Sequence, residues 1–586
     1  MFLRNTKITK NGKTHTYWRL VRSVRVGGKV RQETVAQLGD LTVAGRRRAE
    51  ALARRFLGKD RGQGELFEDH TEQPIAEVKI AEVRVENQRD FGGAWLAWTL
   101  WRALELDRFC EEAMPQGKEE VPWAQVAAIL VLARFCEPSS ELHIAEHWYR
   151  RSGATDLFGV PLASVHHTRL YQGLDRLLAK KESLEQHLRR RLGNLFDLSY
   201  DLLLYDVTST YFEGEASKNT MAKRGHSRDR RSDCKQVCIG LVVTREGYPL
   251  GYEVFDGNRN DVKTLQEIVE TMEARHGRVH RVWVMDRGMV SEENLEWLRA
   301  GNRDYLVGTP RSDLKDWESQ IVDPRGWREV RPGLELKVCR KPRGKEVFLL
   351  CRSEDRRKKE EAMVERFAAR IREGLESLAR RLAKARKPVD RPLTERQIGR
   401  LLERNRRAGR KFHIEIHEDK QKPGRLKLVW QEDEAWNAWA RLVAGTYILR
   451  SNVTTWTPEE LWRTYVQLTD VEQAFRIEKS ELDVRPIGHQ LAPRVRAHIL
   501  VCYLAYALWK TLEGWQKRAG LGSGVRTVVD EISRIGAVDV VLPLTTGRDL
   551  RIRCVARPDQ DQAALLDRLG LALPRRLRPP TGAPGL

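Results

Sequence analysis

The chain has 586 residues, which is more than one hydrophobic core supports, because cores stop growing near ~250–300 residues. We therefore expect about two to four domains, and an apolar share of 41% is enough to give each of them a core. The 104 Lys and Arg exceed the 82 Asp and Glu, so the net charge of +22 predicts a polyanionic partner. The 17 Trp and only 22 Pro exclude collagen-like, mucin-like and mostly disordered proteins.

The sequence predicts neither a membrane span nor a secretory signal. The longest apolar runs, Ala127–Ala133 and Ile499–Trp509, are shorter than the ~20 residues that a spanning helix needs. The N-terminus carries charge but no apolar segment of the kind found in signal peptides. The eight cysteines are too scattered for a disulfide framework, so we expect a protein of the reducing cytosol.

The first two predicted domains precede any catalytic motif. Residues 1–75 are interpreted as a basic β-rich domain, because apolar bursts alternate with the turn signals Asn11-Gly12 and Gly27-Gly28. A polar stretch at 61–90 predicts a linker. Residues 76–195 are interpreted as a helical, DNA-binding domain, because apolar residues recur at helical spacing. The predicted helix ends after Cys136, and Ser139 or Ser140 would be the N-cap of the next helix. Such a pair of helices fits either a helix-turn-helix DNA-binding motif or an ordinary helical pair.

An α/β core is predicted from the change of pattern at Leu202. The predicted elements, in order, are strands at 202–210, 237–244 and 250–255, a helix at 261–276, a strand at 282–286, a helix from 291 and a strand at 305–307. The order β-β-β-α-β-α-β is that of the RNase H-like fold, whose mixed sheet places the first and fourth strands side by side. We assign 196–310 and 446–515 to this core, which resumes with the strand at Thr446.

The segment between the two halves of the core predicts a separate domain. Residues 311–445 contain short strands and a long run rich in Arg, Lys and Glu, in which apolar residues recur at steps of three and four. This spacing predicts an amphipathic helix, so we interpret the segment as a mixed α/β insertion domain with a basic surface. Residues 516–586 are interpreted as a small C-terminal region.

Two aspartates mark the ends of predicted neighbouring strands. Asp206 lies near the end of the first strand and Asp286 ends the fourth, so both carboxylates should emerge at one edge of the sheet. A carboxylate in an apolar strand is costly unless a partner neutralises it. Each aspartate alone could instead be a cap or a turn residue.

A third carboxylate is predicted on a later helix, which the capping box at Thr457–Glu460 begins. The apolar stripe that follows includes Glu472, which we therefore expect on the inward face. Glu478 and Glu481 are off that stripe and are expected on the solvated surface. Three carboxylates are hard oxygen donors that suit Mg²⁺ or Mn²⁺. Two such ions can stabilise the attacking and the leaving oxygen in an in-line displacement at a phosphodiester.

The motif Tyr465-x2-Leu468-x3-Glu472-x6-Lys479 resembles the Y-x2-R-x3-E-x6-K signature of bacterial insertion-sequence DDE transposases. The segments Tyr205–Phe212, Met285–Met289 and Arg485–His489 are also similar to that family. One difference is that the signature arginine is Leu468 here. Arg476, two turns further on, could supply a replacement cation.

The resemblance implies a DNA transposase that binds the terminal inverted repeats of its insertion sequence and catalyses metal-dependent cleavage and strand transfer. It implies that Asp206, Asp286 and Glu472 are the catalytic residues and the ligands of Mg²⁺ or Mn²⁺, as two ions. Its DNA-binding residues would be Tyr465, Arg476 and Lys479. The implied partners are double-stranded DNA and a second subunit of a homodimer, in the cytoplasm and at the nucleoid of a prokaryote.

Two other functions fit the same residues. An RNase H-like nuclease would cut nucleic acid without strand transfer, and a catalytically inactive relative would only bind DNA. Terminal inverted repeats on either side of the gene would favour transposition over both alternatives.

Overall fold

A computed structural model describes residues 2–10, 13–26, 29–39, 77–277, 281–342, 344–385, 387–418, 425–522 and 524–577. The predicted turns at Asn11-Gly12 and Gly27-Gly28, and the first part of the predicted linker, lie outside these residues. All eight cysteines are free. None of the helices in the described part of the chain combines the length and the apolar character that crossing a membrane requires.

The strands, in chain order, are β1 (Phe2–Lys10), β2 (Lys13–Val26), β3 (Lys29–Gly39), β4 (Arg84–Asp90), β5 (Leu202–Tyr211), β6 (Gln236–Thr244), β7 (Pro249–Asp256), β8 (Val282–Met285), β9 (Asp304–Gly308), β10 (Arg328–Arg331), β11 (Leu334–Cys339), β12 (Val347–Ser353), β13 (Phe412–Glu418), β14 (Leu426–Glu432), β15 (Thr446–Ser451), β16 (Gly536–Pro543) and β17 (Asp549–Val555). The five strands predicted for the core are therefore present as β5 to β9. Strand β4 corrects the linker prediction, because Arg84–Asp90 pairs with β16.

The α-helices, in chain order, are α1 (Gly92–Ala103), α2 (Leu106–Ala113), α3 (Trp123–Cys136), α4 (Glu141–His143), α5 (Tyr149–Arg151), α6 (Ala154–Phe158), α7 (His167–Leu178), α8 (Lys181–Phe196), α9 (Leu265–His276), α10 (Glu292–Ala300), α11 (Glu318–Val322), α12 (Glu354–Lys384), α13 (Arg391–Arg404), α14 (Arg406–Gly409), α15 (Glu434–Leu442), α16 (Pro458–Val466), α17 (Leu468–Ser480), α18 (Ala492–Arg518), α19 (Val525–Ser533) and α20 (Gln560–Arg568). A π-helical segment, Ile144–Trp148, connects α4 and α5.

The chain forms two compact units. The first comprises Met1–Ile8, His15–Trp283 and Gln467–Leu586, and the second comprises Thr9–Thr14 and Val284–Val466. The chain passes from the first unit to the second within β8. The five predicted domain boundaries remain a prediction.

The sheet of the first unit carries the predicted strand order. Strands β5, β6 and β7 are antiparallel neighbours, with Asp206 opposite Leu241. The backbone N–H of Val282, at the start of β8, donates to the carbonyl of Asp201, the residue directly before β5, at 2.8 Å. Because both strands begin at the same edge, they run in the same direction. The predicted pairing of the first and fourth core strands is confirmed.

The helices of the first unit surround the long apolar helix α18. Most of its side chains are buried, and it packs against α3, α7 and β7. Strand β4 pairs with β16 in a separate three-stranded sheet, completed by β17. Chain segments more than 300 residues apart in sequence therefore share one core.

The second unit contains strands β10, β11, β12, β15 and β9, which are neighbours in this order. Strands β10 to β12 fall in the predicted insertion but extend this sheet through the pairing of β12 with β15. The predicted amphipathic helix is confirmed as α12, whose buried face includes Ile371, Leu375 and Leu378. That face packs against β14 in a core of its own. The fold as a whole is mixed α/β, as predicted.

Candidate functional site

Asp206 lies on β5, an inner strand whose neighbours are β8 and β6. The strand forms because Leu202–Tyr211 is apolar and β-branched, and most of its side chains are buried. The side chain of Asp206 is half-buried, and its Oδ1 accepts a hydrogen bond from the backbone N–H of Val207 at 2.8 Å. Thr208, two residues on, points to the same side of the strand because side chains alternate.

Glu472 lies on α17, which packs against β5 within the same unit. The Lys479 ammonium on α17 donates to Thr208 Oγ1 at 2.7 Å, and the Thr210 hydroxyl donates to the carbonyl of Val484 at 3.2 Å. Glu472 precedes Lys479 by seven residues, about two turns, so it shares the helix face of Lys479, whose ammonium reaches the strand that carries Asp206.

The exposure of the helix glutamates corrects the predicted helical phase. Glu472, expected inward, is exposed, whereas Glu478, expected in solvent, is only 4% exposed. The predicted stripe runs from α16 into α17 across Gln467, where the helix is interrupted. The buried stripe of α17 is formed by Val471, Ala474, Phe475, Ile477 and Glu478. Glu481 is half-buried and pairs with Arg526 at 3.0 Å.

The buried position of Glu478 changes its chemistry. Removal from water raises the pKa of this carboxyl to about 8, because burial disfavours the charged form and the nearby Lys479 only partly offsets it. Glu478 is therefore mostly protonated at neutral pH. A protonated carboxyl in a core is a poor ligand for a divalent cation.

Asp286 and Tyr465 lie together in the second unit. Asp286 directly follows β8 and is exposed. The Tyr465 hydroxyl, on α16, donates to Asp286 Oδ1 at 3.3 Å. Burial, and then the carboxylate of Asp286, raise the pKa of Tyr465. The ring lies over Gly308 at the end of β9, where an added Cβ would be 2.2 Å from the hydroxyl oxygen.

The predicted DNA-binding cations differ in exposure. Arg476 is exposed, whereas the Lys479 side chain is only 10% exposed. Besides Thr208, Lys479 contacts Asp229 Oδ1 at 2.8 Å, and Arg485 pairs with the same oxygen. Neither Asp229 nor a role for Arg485 was predicted. Asp229 stands within the basic run 223–235, and no local pattern distinguishes it from an ordinary loop residue.

In the ranges that the structure describes, no three His, Cys, Asp or Glu side chains lie close enough together to hold a metal ion. The predicted three-carboxylate site therefore stays a prediction. Its donor chemistry fits the predicted metals, because carboxylate oxygens are the ligands that Mg²⁺ and Mn²⁺ prefer.

Comparisons with known proteins support the interpretation of these motifs. Residues 197–508 match the family described as Transposase DDE domain, and residues 3–69 match the IS1634 family transposase N-terminal domain. A search of curated proteins finds no match. The first match begins just before β5, ends within α18 and includes Asp206, Asp286 and Glu472. Because it covers more than half of the 586 residues, the chain belongs to the DDE transposase family, whose members are enzymes that cut DNA and transfer its strands.

Proposed function

We propose that this transposase cuts DNA at the terminal inverted repeats of its own insertion sequence and joins the freed 3′ ends to target DNA. Asp206, Asp286 and Glu472 hold the divalent ions on which the family depends, with Mg²⁺ or Mn²⁺ as the metal and two ions at work. Such ions, when bound, favour an oxygen nucleophile at neutral pH and stabilise charge on the leaving oxygen.

The observation that carries this proposal is the packing of α17 against β5. Glu472 is exposed on that helix, where DNA can approach it, and it lies two turns before Lys479, which contacts Thr208 on the strand of Asp206. Glu478, the competing glutamate, is buried and mostly protonated at neutral pH. The geometry and the acid–base chemistry of α17 therefore favour the same carboxylate as the family motif.

The other site residues bind and orient. Tyr465 orients the Asp286 carboxylate through its hydroxyl, and the exposed Arg476 and the ammonium of Lys479 contact phosphates of the DNA. Residues 1–195 recognise the terminal repeats, and the match of residues 3–69 to a transposase N-terminal domain supports that division of labour. Two copies of the chain pair the two ends of the element.

The test is cleavage of a duplex that carries the terminal repeats, with the purified full chain and Mg²⁺ or Mn²⁺. We expect 3′-ended products and, with target DNA added, joined products, both abolished by EDTA and by Asp206→Asn. Cleavage that persists in EDTA would contradict the metal site. Cleavage without joined products would identify a nuclease that lacks strand transfer.

A further inference from the structure

The loop between β5 and β6 carries an excess of positive charge. Residues 212–235 contain seven Lys and Arg against four Asp and Glu. The loop is fixed at both ends, because the Phe212 backbone N–H donates to the Lys235 carbonyl at 2.9 Å. The Gln236 side chain also donates to the Gly257 carbonyl at 2.7 Å and to the His226 carbonyl at 3.2 Å. The loop is thus held beside the strand that carries Asp206.

One acidic residue of this loop joins two cations from a distant part of the chain. Asp229 Oδ1 accepts from the Lys479 ammonium at 2.8 Å and pairs with the Arg485 guanidinium. The Asp229 side chain is 4% exposed, Lys479 is 10% exposed and Arg485 is 29% exposed. Asp229 therefore lies beneath the two cations, and Arg485 reaches furthest toward solvent.

The group keeps a surplus positive charge that its own carboxylate does not cancel. One carboxylate faces two cations, and Asp229 Oδ2 is buried without a hydrogen-bond partner in the described part of the chain. Taking a lysine out of water is costly unless a partner compensates it. Burial lowers the pKa of Lys479, and the hydrogen bond that Lys479 donates to Asp229 offsets part of this shift. Asp229 thus helps to keep Lys479 charged and fixed in place.

We propose that Asp229 is a positioning residue that holds Lys479 and Arg485 as a two-cation site for one phosphate of the DNA. This inference rests on the proposed function. Lys479 also contacts Thr208, which is two residues, or about 7 Å, along β5 from Asp206. The phosphate held there lies beside the scissile one. A guanidinium and an ammonium on one phosphate give charge-assisted hydrogen bonds whose geometry depends on the carboxylate beneath them.

The test compares Asp229→Asn and Arg485→Gln in the full chain with two charge controls. Asp233→Asn removes a carboxylate of the same loop that is 66% exposed and pairs with Arg231. Arg325→Gln removes an arginine that is 89% exposed and pairs with Asp323. Duplex binding is measured without divalent metal at several salt concentrations, and cleavage of terminal-repeat DNA is measured at saturating DNA.

For Asp229→Asn we expect cleavage to fall at least tenfold. The salt slope, which is the slope of log binding constant against log salt concentration, should be smaller in magnitude by about one, because one phosphate contact is lost although the variant is more positive. Arg485→Gln should lower the salt slope by a similar amount, while both controls stay within about twofold of the wild type. A change of fold alone would not move the salt slope selectively. Thermal unfolding shows whether the Asp229→Asn protein is misfolded. If it is, the Arg485→Gln variant, which changes a more exposed side chain, provides the test.

Two outcomes would overturn the inference. Tighter DNA binding with unchanged or faster cleavage in Asp229→Asn would show that Asp229 competes with DNA for the two cations. Behaviour equal to that of Asp233→Asn would show that Asp229 has no such role. If the wild-type chain cleaves no terminal-repeat DNA, the proposed function fails instead, whereas the salt slopes on plain duplex still test the phosphate site.

Discussion

At Glu472 and Glu478, the surroundings of the side chain decide which carboxylate can bind a divalent ion. Glu472 is exposed on the face of α17 that it shares with Lys479, and Glu478 is buried with its pKa raised to about 8. We expect Glu472→Gln to lower cleavage by orders of magnitude, because ion binding supplies several kcal/mol and each ~1.4 kcal/mol is tenfold in rate. The measurement is the rate of cleavage of terminal-repeat DNA at saturating metal.

Glu478→Gln is the matched control, since it makes the same chemical change six residues along the same helix. It should leave cleavage within about threefold of normal, because the native carboxyl is already mostly neutral at pH 7. DNA binding and thermal unfolding establish that both variants are folded. Loss of cleavage in Glu478→Gln with normal cleavage in Glu472→Gln would reverse the assignment.

The raised pKa of Glu478 also predicts a pH dependence of stability. Between its ordinary pKa of 4.5 and about 8, the folded protein holds a proton that the unfolded chain releases. The free energy of unfolding therefore falls as pH rises through this window. Because a glutamine side chain does not titrate, the stability of Glu478→Gln relative to the wild type should increase from pH 5 to pH 8. Chemical unfolding midpoints of both proteins at several pH values measure this difference.

Glu481→Gln serves as the control for that measurement. Glu481 is half-buried and pairs with Arg526, so its replacement removes an ion pair and not a buried carboxyl. The difference in midpoint between this variant and the wild type should not increase between pH 5 and pH 8. A flat difference for Glu478→Gln as well would show that water reaches the Glu478 carboxyl.

Elements with strong local signals were predicted well from the sequence. The core strands β5 to β9 are apolar and β-branched, and a sheet buries such residues. The caps were equally clear, because a short polar side chain satisfies free N–H groups at the start of a helix. Ser140 and Ser291 accept from the third residue of their helices, and Thr457 forms the predicted box with Glu460.

The prediction failed where one element ends without a clear signal. Nothing in the residues around Gln467 separates α16 from α17, so one helical period was continued through both helices. The buried stripe of α17 includes Glu478 and not Glu472, so the continued period assigned both glutamates to the wrong side of the helix. The contacts of Asp229 were not predictable either, because Lys479 and Arg485 are more than 240 residues away in sequence.

The packing of α16 on β9 gives a prediction for the second unit. A Cβ at Gly308 would lie 2.2 Å from the Tyr465 hydroxyl oxygen and 3.0 Å from its ring carbon Cζ, so Gly308→Ala must displace the ring. The hydrogen bond to Asp286 is then lost. A hydrogen bond to a charged group contributes about 1.5–3 kcal/mol, so we expect cleavage to fall about ten- to a hundredfold. The measurement is the cleavage rate at saturating DNA.

Two further variants check that the effect passes through Tyr465. Gly399→Ala is the control, because an added Cβ there meets nothing within 4 Å. Gly308→Ala combined with Tyr465→Phe should lose no more activity than the more impaired single variant, since both remove the same contact. Additive losses would show that Gly308 acts on the site by another route.

At the scale of the whole molecule, the first unit is built from segments far apart in sequence. Helix α18, near the C-terminus, packs against α3 and α7, and the Trp509 and Phe135 rings lie 6.3 Å apart. Residue Asp90 of β4 pairs with Gly536 of β16. The apolar periods predicted which residues are buried but not which segments meet, because each apolar face is compatible with many partners.

This organisation predicts that residues 1–195 do not fold alone. Without α18 and β16, the fragment would expose apolar faces of α3 and α7 and leave β4 without a partner. Each large apolar side chain removed from the core costs about 1.5–3 kcal/mol, and a few of them equal the ~5–15 kcal/mol that stabilises a domain. We expect the purified fragment to show no cooperative thermal transition by circular dichroism, whereas the full chain shows one. A sharp transition in the fragment would mean that these helices form a core without α18.

If the fragment is unfolded, recognition of the terminal repeats must be tested by substitutions in the full chain, because weak binding by the fragment would report its folding and not its specificity.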